Sequence, residues 1–174
     1  QLPFVFKFDW GGDGDNVFLV KTMEQLDSML KKAVEYEKTG QTGFMIQEFI
    51  PSLNRSLRVV IIGQKIISYW RIQNNDDLFC TSIKKGAQID HSSDPDLQHA
   101  ACTAAKLFCK DTGINLAGFD FLFSSKIIRD IPFFLEINYF FGRKGLGALQ
   151  KNYNILVKEI KKWLNSIGLK VNKK

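Results

Sequence analysis

Short apolar runs bounded by turn residues, two of them alternating with polar positions, predict a series of short strands along most of this chain. The predicted strands cover residues 3–8, 17–20, 43–50, 56–63, 65–73, 117–124 and 131–138. A glycine-rich loop at 11–16 separates the first two strands, and Gly63 with Gln64 forms a turn between the fourth and the fifth. Both pairs are therefore expected to be antiparallel hairpins.

Three other segments show the apolar spacing of helices. Between residues 22 and 38 apolar side chains recur every three or four positions, and Thr22 is suited to cap the start. A second helix is expected after Pro95 and ends at Gly113, and a third spans 149–166. Antiparallel strands combined with three helices indicate the α+β class.

The composition is that of a folded domain. Of the 174 residues 45% are hydrophobic and 24% are charged, and 15 phenylalanines supply much of the expected core. No apolar run approaches the roughly 18 residues of a membrane span, and no secretory signal is visible, so no membrane partner is expected. Because the chain starts at Gln1 and runs directly into a strand, we expect it to be a fragment of a longer protein.

Cysteines and charges narrow the class of protein further. Cys80, Cys102 and Cys109 lack the spacing of a disulfide framework or a metal site, which favours a reducing, cytoplasmic location. Cys102 and Cys109 lie seven residues apart in the second helix and are expected to be core thiols. The net charge of +6 includes several lysines near the end of the chain, which indicate a solvated helix face. A nucleic-acid patch is the alternative, but it lacks interleaved exposed aromatic residues, so nucleic acid is not an expected partner.

Lys7 and the glycine-rich loop that follows its strand are suited to an anion. Glycines and Asn16 tolerate positive φ angles, so successive backbone N–H groups of residues 11–16 can point into one concavity. Such a loop beside a lysine can bind a polyphosphate. An ordinary hairpin loop with a surface lysine is the alternative.

Three polar residues interrupt the last two predicted strands. Glu136 and Asn138 are two positions apart and share a strand face, and Asp120 on the preceding strand can join them. Two carboxylates and an amide oxygen are typical ligands of a hard cation such as Mg²⁺. The alternative is a solvated polar sheet face. We prefer the metal site because the neighbouring Phe119, Phe121, Leu135 and Ile137 are expected to cover the opposite face.

A third candidate segment is "QEFI" at 47–50. Pro51 follows it and pushes Ile50 toward extended geometry, which leaves the backbone of Phe49 and Ile50 free to pair with a planar ligand. Taken alone, the segment is equally typical of an edge strand.

The order of these segments resembles the ATP-grasp superfamily. It runs from the Lys7 strand and glycine loop through "QEFI", "LRVVIIGQKIISYWR" and "AGFDFLF" to "LEINYFFGRKGLG". The resemblance extends from about residue 3 to 165 and is nearest to the branch of ribosomal-protein glutamate ligases and glutathione synthetases. It implies two α+β lobes whose antiparallel sheets hold ATP between them. Residues 1–50 would be the remainder of the small nucleotide-binding lobe, its first part preceding this chain, and 51–174 the large lobe with the metal site.

The resemblance also implies roles for individual residues. Lys7 would hold the ATP phosphates, residues 11–16 would form a lid over them, and Glu48 would face the adenine or the ribose. The residues expected to bind ATP on this basis are Lys7, Gly11, Gly12, Asp13, Gly14, Glu48, Phe49, Ile50, Ser56 and Lys84.

Metal binding and catalysis are implied for the second half of the chain. The acidic and amide residues described above would bind Mg²⁺, with Mn²⁺ as a substitute. The loop 142–147 would hold the acyl-phosphate side of the reaction through its N–H groups and Arg143. Arg58 and Arg71 match arginines of the family pattern and would orient phosphate or a carboxylate. Arg71 and Arg143 are therefore the predicted catalytic residues.

The chain departs from the family pattern at three positions. Ser56 stands where an aspartate usually contacts the ribose, and Cys80 and Ser82 replace an arginine and an asparagine associated with the phosphates. Lys84 or Lys85 is expected to supply the missing charge.

The function implied is an ATP-dependent ligase. Such an enzyme activates a small-molecule or peptide carboxylate as an acyl phosphate, which an amine or a related nucleophile then attacks. The three departures leave a second hypothesis open, a catalytically degenerate ATP-binding module of the same fold.

Overall fold

The structure is a computed structural model that describes residues 1–12, 14–126, 130–147 and 149–169. Its strands are β1 (Phe4–Phe8), β2 (Val17–Val20), β3 (Phe44–Glu48), β4 (Arg55–Ile62), β5 (Lys65–Ile72), β6 (Gln88–Asp90), β7 (Leu116–Leu122) and β8 (Phe133–Asn138). Its α-helices are α1 (Met23–Glu37), α2 (Pro95–Thr112) and α3 (Leu149–Ser166). The predicted α+β class with antiparallel strands is confirmed.

Helix ends follow the local signals in the sequence. Thr22 has extended backbone angles, and its hydroxyl accepts a hydrogen bond of 3.3 Å from the Gln25 N–H, as expected of an N-cap. Pro95 starts α2 in the first turn, where its missing N–H costs nothing. Gly113 ends α2 at a φ of 74° and donates its N–H to the Cys109 carbonyl.

The first sheet has the strand order β2-β1-β3, and all its neighbours are antiparallel. Strand alternation sends Phe6 and Phe8 toward α1, where they form a small core with Val20 and Ala33. The other face of β1 includes Lys7 and lines a cleft. One strand therefore anchors the helix on one side and presents a cation on the other.

The second sheet has the order β6-β5-β4-β7-β8 and is antiparallel throughout. α2 covers one face of this sheet, where Ala101 and Ala105 pack against Leu57 and Phe119. α3 covers part of the opposite face through Ile155 and other apolar side chains. The central strand β4 is buried on both faces, which explains its nearly continuous apolar sequence.

The two cysteines of α2 pack against the core, as the sequence predicted. Cys102 and Cys109 are free thiols, half-buried, and pack against the core beneath α2. Burial raises the pKa of both thiols, so they stay neutral near pH 7.

A bulge in the last strand pair changes one sequence expectation. The β7–β8 register shifts after Asp120, so Phe121 pairs with Phe134 and Leu135 lies at the irregularity. As a result Phe134, not Leu135, packs on the helix side, where its ring stacks on Phe108 with centroids 5.8 Å apart. Leu135 lines the cleft and, unlike Ile137, is not among the described side chains that pack on the core beneath α2, so the prediction that Leu135 covers that face is wrong.

The polar stretch between β5 and α2 holds structure that the sequence pattern does not reveal. A short 3₁₀ turn at Ile83–Lys85 is followed by β6, which pairs with β5 through only three residue pairs. Such a short edge strand carries too little alternation to be recognised from its own residues. None of the helices in the described ranges combines the length and apolar character needed to cross a membrane.

Candidate active site

A cleft of about 1650 Å³ separates the two sheets. It is lined by the face of β1 that carries Lys7, by the glycine-rich loop, by the segment after β3 and by the polar face of the second sheet. This volume exceeds the usual range of about 300–1,000 Å³ for a small-molecule pocket. Most of the predicted site residues line this cleft.

A row of charged residues crosses the floor of the cleft. Arg58 on β4 pairs with Asp120 on β7, which in turn pairs with Glu136 on β8, so the three share one register position across adjacent strands. The Arg58 guanidinium binds both carboxylate oxygens of Asp120, one through Nε and the other through Nη2 at 2.8 Å. Arg71 adds a contact of 2.9 Å to Asp120 Oδ2.

Asp120 is fully buried but ionised between these two arginines. Burial opposes its negative charge, whereas Arg71 and Arg58 favour it, and the balance holds the Asp120 pKa below its ordinary value. The pKa of Arg58 is raised: burial disfavours its charge, and the Asp120 carboxylate outweighs that effect. This cluster therefore keeps its charges at neutral pH.

The predicted metal ligands converge. The Asn138 amide donates to Glu136 Oε1 at 3.1 Å and to Asp120 Oδ2 at 3.4 Å, so all three side chains meet at one point. In the described residues no group of three or more histidine, cysteine, aspartate or glutamate side chains is placed to hold a metal. The cluster offers two carboxylates and one amide, a hard oxygen donor set that fits Mg²⁺ once the Asn138 amide presents its oxygen.

Ser56 does not face the cleft directly. It is fully buried, and its hydroxyl accepts hydrogen bonds from Nε and Nη2 of Arg71 at 3.1 and 2.9 Å. It also bonds the Thr81 hydroxyl at 2.6 Å. Ser56 thus holds Arg71 against Asp120 and ties the segment after β5 to the sheet. The Thr81 contact joins residues 25 positions apart, and no pattern in the sequence marks it.

The glycine-rich loop lines the cleft beside Lys7. Gly11, Gly12 and Gly14 all contribute to the lining, and Gly11 and Gly14 have positive φ angles. Asp13, which was predicted to bind ATP with these glycines, lies outside the described residues.

The two lysines of the 3₁₀ turn play different parts. The Lys85 ammonium donates to the Gly14 carbonyl at 2.9 Å and lies 3.1 Å from Asp15 Oδ1, so it ties the turn to the glycine loop. Lys84 is exposed and lines the cleft. Lys84 is therefore the lysine that lines the cleft, whereas Lys85 contacts the glycine loop.

Cys80 lies beneath the glycine loop, with its sulfur 3.8 Å from the Gly14 carbonyl. Burial raises the pKa of this thiol more than Lys85 and Lys7 lower it, so the side chain is neutral at pH 7. It packs in the cleft wall without supplying charge.

Two polar atoms in the cleft wall have no partner. Within the described ranges, Gln47 Oε1 and Ser82 Oγ are buried and make no hydrogen bond, although both residues line the cleft. Buried polar atoms are normally paired, so these two oxygens are available to a polar group in the cleft. The Ser82 residue is only 9% exposed. Sequence alone marks Ser82 as a departure from the family but does not reveal this unsatisfied atom.

The predicted adenine segment lies at the junction between the sheets. β3 ends at Glu48, which is exposed, and Phe49 and Ile50 continue beyond its paired residues along the cleft. The Phe49 ring meets the Phe79 ring at 6.4 Å between centroids.

The loop after β8 also lines the cleft. Arg143 and Lys144 are exposed and line it, and neither makes an ion pair within the described ranges. Gly145 is packed so tightly on the Tyr69 ring that an added Cβ would lie 2.1 Å from its Cζ atom. This contact anchors the loop to β5, so the two cations project from a fixed base.

A sequence model of the RimK-like ATP-grasp domain matches residues 1–163. The chain belongs to the RimK-like ATP-grasp family. The resemblance to this superfamily stated above is thereby confirmed. A search of the curated proteins finds no match to this chain.

Solved structures of ATP-grasp proteins share the fold. The RimK-domain ATP-grasp protein of Sphaerobacter thermophilus aligns with a TM-score of 0.63 at 16% identity, over 91% of this chain and 53% of that one. D-alanine–D-alanine ligase of Bacillus anthracis complexed with ATP aligns at 0.66 and 16% identity, over 96% and 55%. The L-amino acid ligase of Bacillus licheniformis aligns at 0.56 and 14% identity, over 84% and 34%. The chain therefore spans about half the length of the first two structures, and the likeness concerns the fold.

Proposed function

We propose that this ATP-grasp chain is part of an ATP-dependent carboxylate–amine ligase. The observation that carries the proposal is the meeting of Asp120, Glu136 and Asn138 in one cleft with Lys7 and the glycine loop. Oxygen ligands and phosphate-binding groups are combined in sites that handle Mg²⁺ and a nucleotide together. The named ligases among the similar structures agree with this class of reaction.

The nucleotide would lie between the two sheets. Its phosphates would be held by Lys7 and the N–H groups of the glycine loop, and its base would follow Phe49 and Ile50. The unpaired Gln47 and Ser82 oxygens would accept hydrogen bonds from the bound nucleotide, which would satisfy both buried atoms. In this arrangement residues 1–50 would form the small lobe and residues 51–174 the large lobe.

Mg²⁺, or Mn²⁺ in its place, would be held by Asp120, Glu136 and Asn138. When bound, it would neutralise phosphate charge. Arg71 and Arg58 lower the pKa of Asp120, so this carboxylate is already deprotonated at neutral pH and can bind a cation directly.

The reaction would proceed in two displacements. A carboxylate oxygen of the substrate would attack the γ-phosphorus of ATP and release ADP, which gives an acyl phosphate. The amine would then attack the acyl carbon, lose a proton and displace phosphate. Arg71 and Arg143 would orient the reacting oxygens, and Lys84 would stabilise the charge that develops during transfer.

A second function is favoured by Cys80 and Ser56. The neutral Cys80 thiol stands in the cleft wall where the resemblance implies a guanidinium, and the Ser56 hydroxyl is fully buried against Arg71 and Thr81. Both fit an ATP-binding module without ligase activity. The deciding experiment measures ADP release by the full-length protein with a pool of carboxylates and amines. Turnover that depends on both pools supports the ligase, whereas nucleotide binding without turnover supports the module.

We expect Glu136→Gln to raise the Kd of Mg²⁺–ATP by about tenfold or more, because it removes one of only two carboxylates from the metal site. Glu136 is exposed, so the melting temperature should change little. Calorimetric titration with ATP and Mg²⁺ measures the affinity, and Glu37→Gln on the exposed side of α1 serves as the control. Normal binding combined with a lowered melting temperature would show that Glu136 is structural.

Adding ATP and Mg²⁺ to the full-length protein should slow amide hydrogen exchange at Gly11, Gly12 and Gly14. Few apolar contacts hold this loop, so nucleotide contacts would dominate its protection. Gly40 also has a positive φ but lies outside the cleft lining, and its exchange should stay unchanged. Equal exchange at the three loop glycines with and without saturating nucleotide would remove the loop from the site.

A further inference from the structure

One aromatic ring in the cleft lining is almost completely exposed. Phe140 follows β8 by two residues and is 99% exposed. Large apolar side chains do occur on surfaces, but a phenylalanine with almost no protein contact in the lining of a cleft suggests contact with a ligand. Its neighbour Tyr139 also lines the cleft and is largely exposed.

Phe140 lies between the metal-site residues and the basic loop. Asn138 is two residues before it, and Arg143 is three residues after it. Between them, Gly142 leaves open space, since an added Cβ there would meet no atom within 4 Å. The Gly145 contact with Tyr69 keeps the far end of this loop in place. An aromatic surface, an open gap and two cations therefore adjoin the position where the substrate would react.

The nucleotide does not account for this surface. The orphan oxygen of Gln47 and the segment at Phe49 and Ile50 belong to the junction of β3 with the second sheet. Phe140 belongs to the loop at the end of β8, the edge strand of the second sheet. The base and the Phe140 ring are thus assigned to different elements of the cleft.

We propose that the substrate activated at this site is a carboxylic acid with an aromatic side group, which packs on Phe140 and Tyr139 while its carboxylate faces Arg143. This inference rests on the proposed ligase function and specifies its acid. A π-face provides apolar area and preferred stacking geometries, and the adjacent guanidinium provides charge complementarity for the carboxylate. Phe140 is therefore a specificity-determining residue, and Arg143 binds any acid regardless of its side group.

The test uses two acids that differ by one phenyl ring, N-acetyl-L-phenylalanine and N-acetyl-L-alanine. Their Kd values are measured by calorimetry on the full-length protein saturated with ADP and Mg²⁺. The phenyl acid should bind about tenfold tighter, the scale expected for partial burial of a ring. Phe140→Ala should bring the two Kd values close together. Arg143→Ala should weaken both acids by a similar factor and preserve their ratio.

Tyr153→Ala is the matched control, because Tyr153 is a 61% exposed aromatic residue on α3 outside the cleft lining. It should leave both affinities unchanged. Equal affinities in the parent protein, or a preference that survives Phe140→Ala, would overturn the assignment. A fall of several degrees in the melting temperature of Phe140→Ala would also overturn it, since the ring would then be covered by protein. Loss of ADP binding in the parent would instead refute the proposed function itself.

Discussion

Replacing Asp120 with asparagine should lower the free energy of unfolding by about 3–5 kcal/mol, the usual cost of removing one partner from a buried ion pair. The asparagine keeps the size of the side chain, but its NH2 group replaces an acceptor oxygen with a donor and leaves Arg58 and Arg71 without their shared counter-charge. Chemical denaturation monitored by tryptophan fluorescence measures the effect. Because Trp70 lies fully buried in the same sheet, it reports on this region directly.

Asp27→Asn is the matched control for this change. Asp27 is exposed on α1, and the same substitution there should shift the free energy of unfolding by no more than about 0.5 kcal/mol. A loss at Asp120 as small as the control would mean that the two arginines are adequately solvated without the carboxylate.

The same residue should make the protein sensitive to acid. The folded-state pKa of Asp120 is lowered, so its contribution to stability is complete above the ordinary pKa of about 4 and is lost as the pH falls through the folded value. The parent should therefore lose more stability than Asp120→Asn on acidification below about pH 5. Parallel stability curves for the two proteins over this range would contradict the assignment.

Lys84→Ala should lower kcat by about 10²–10³, which corresponds to about 2–4 kcal/mol of transition-state stabilisation, if the proposed ligase reaction takes place. Lys84 lines the cleft, as does Cys80, the position where the resemblance implies an arginine. The charge that it would stabilise develops in the transition state, so kcat should fall more than KM rises. Steady-state ADP release with the identified acid and amine measures both parameters.

Lys85→Ala distinguishes the loss of a charge that stabilises the transition state from a loosening of the glycine loop. Lys85 holds the Gly14 carbonyl and Asp15, so its removal should loosen the glycine loop and raise the KM for ATP while kcat changes less. If both lysine variants turned over at the parent rate, neither lysine would replace the missing guanidinium.

Much of the secondary structure was determined by the sequence alone. Apolar runs joined by a turn at Gly63 predicted β4 and β5, alternation predicted β7 and β8, and the signals at Thr22 and Gly113 predicted helix ends. The order of motifs also predicted the family, because each motif is a short segment that can be recognised from its own residues. The shared face of Glu136 and Asn138 followed from the two-residue period of a strand.

Only the tertiary structure decided how these parts combine. The row of Arg58, Asp120 and Glu136 requires a particular strand order and register, and both depend on pairings between residues 62 and 16 positions apart. The bulge after Asp120 reverses the faces of Phe134 and Leu135. A sequence reading based on the two-residue period of a regular strand does not predict this reversal.

The separate environments of Lys84 and Lys85 show the same limit. The two residues are adjacent and chemically identical, and only the approach of the glycine loop, some 70 residues earlier, gives Lys85 its partners at Gly14 and Asp15. Local free energies select helices, strands and turns within a few residues. Long-range packing then determines which buried charges meet, because a charge removed from water is stable only where another element of the fold brings a partner to it.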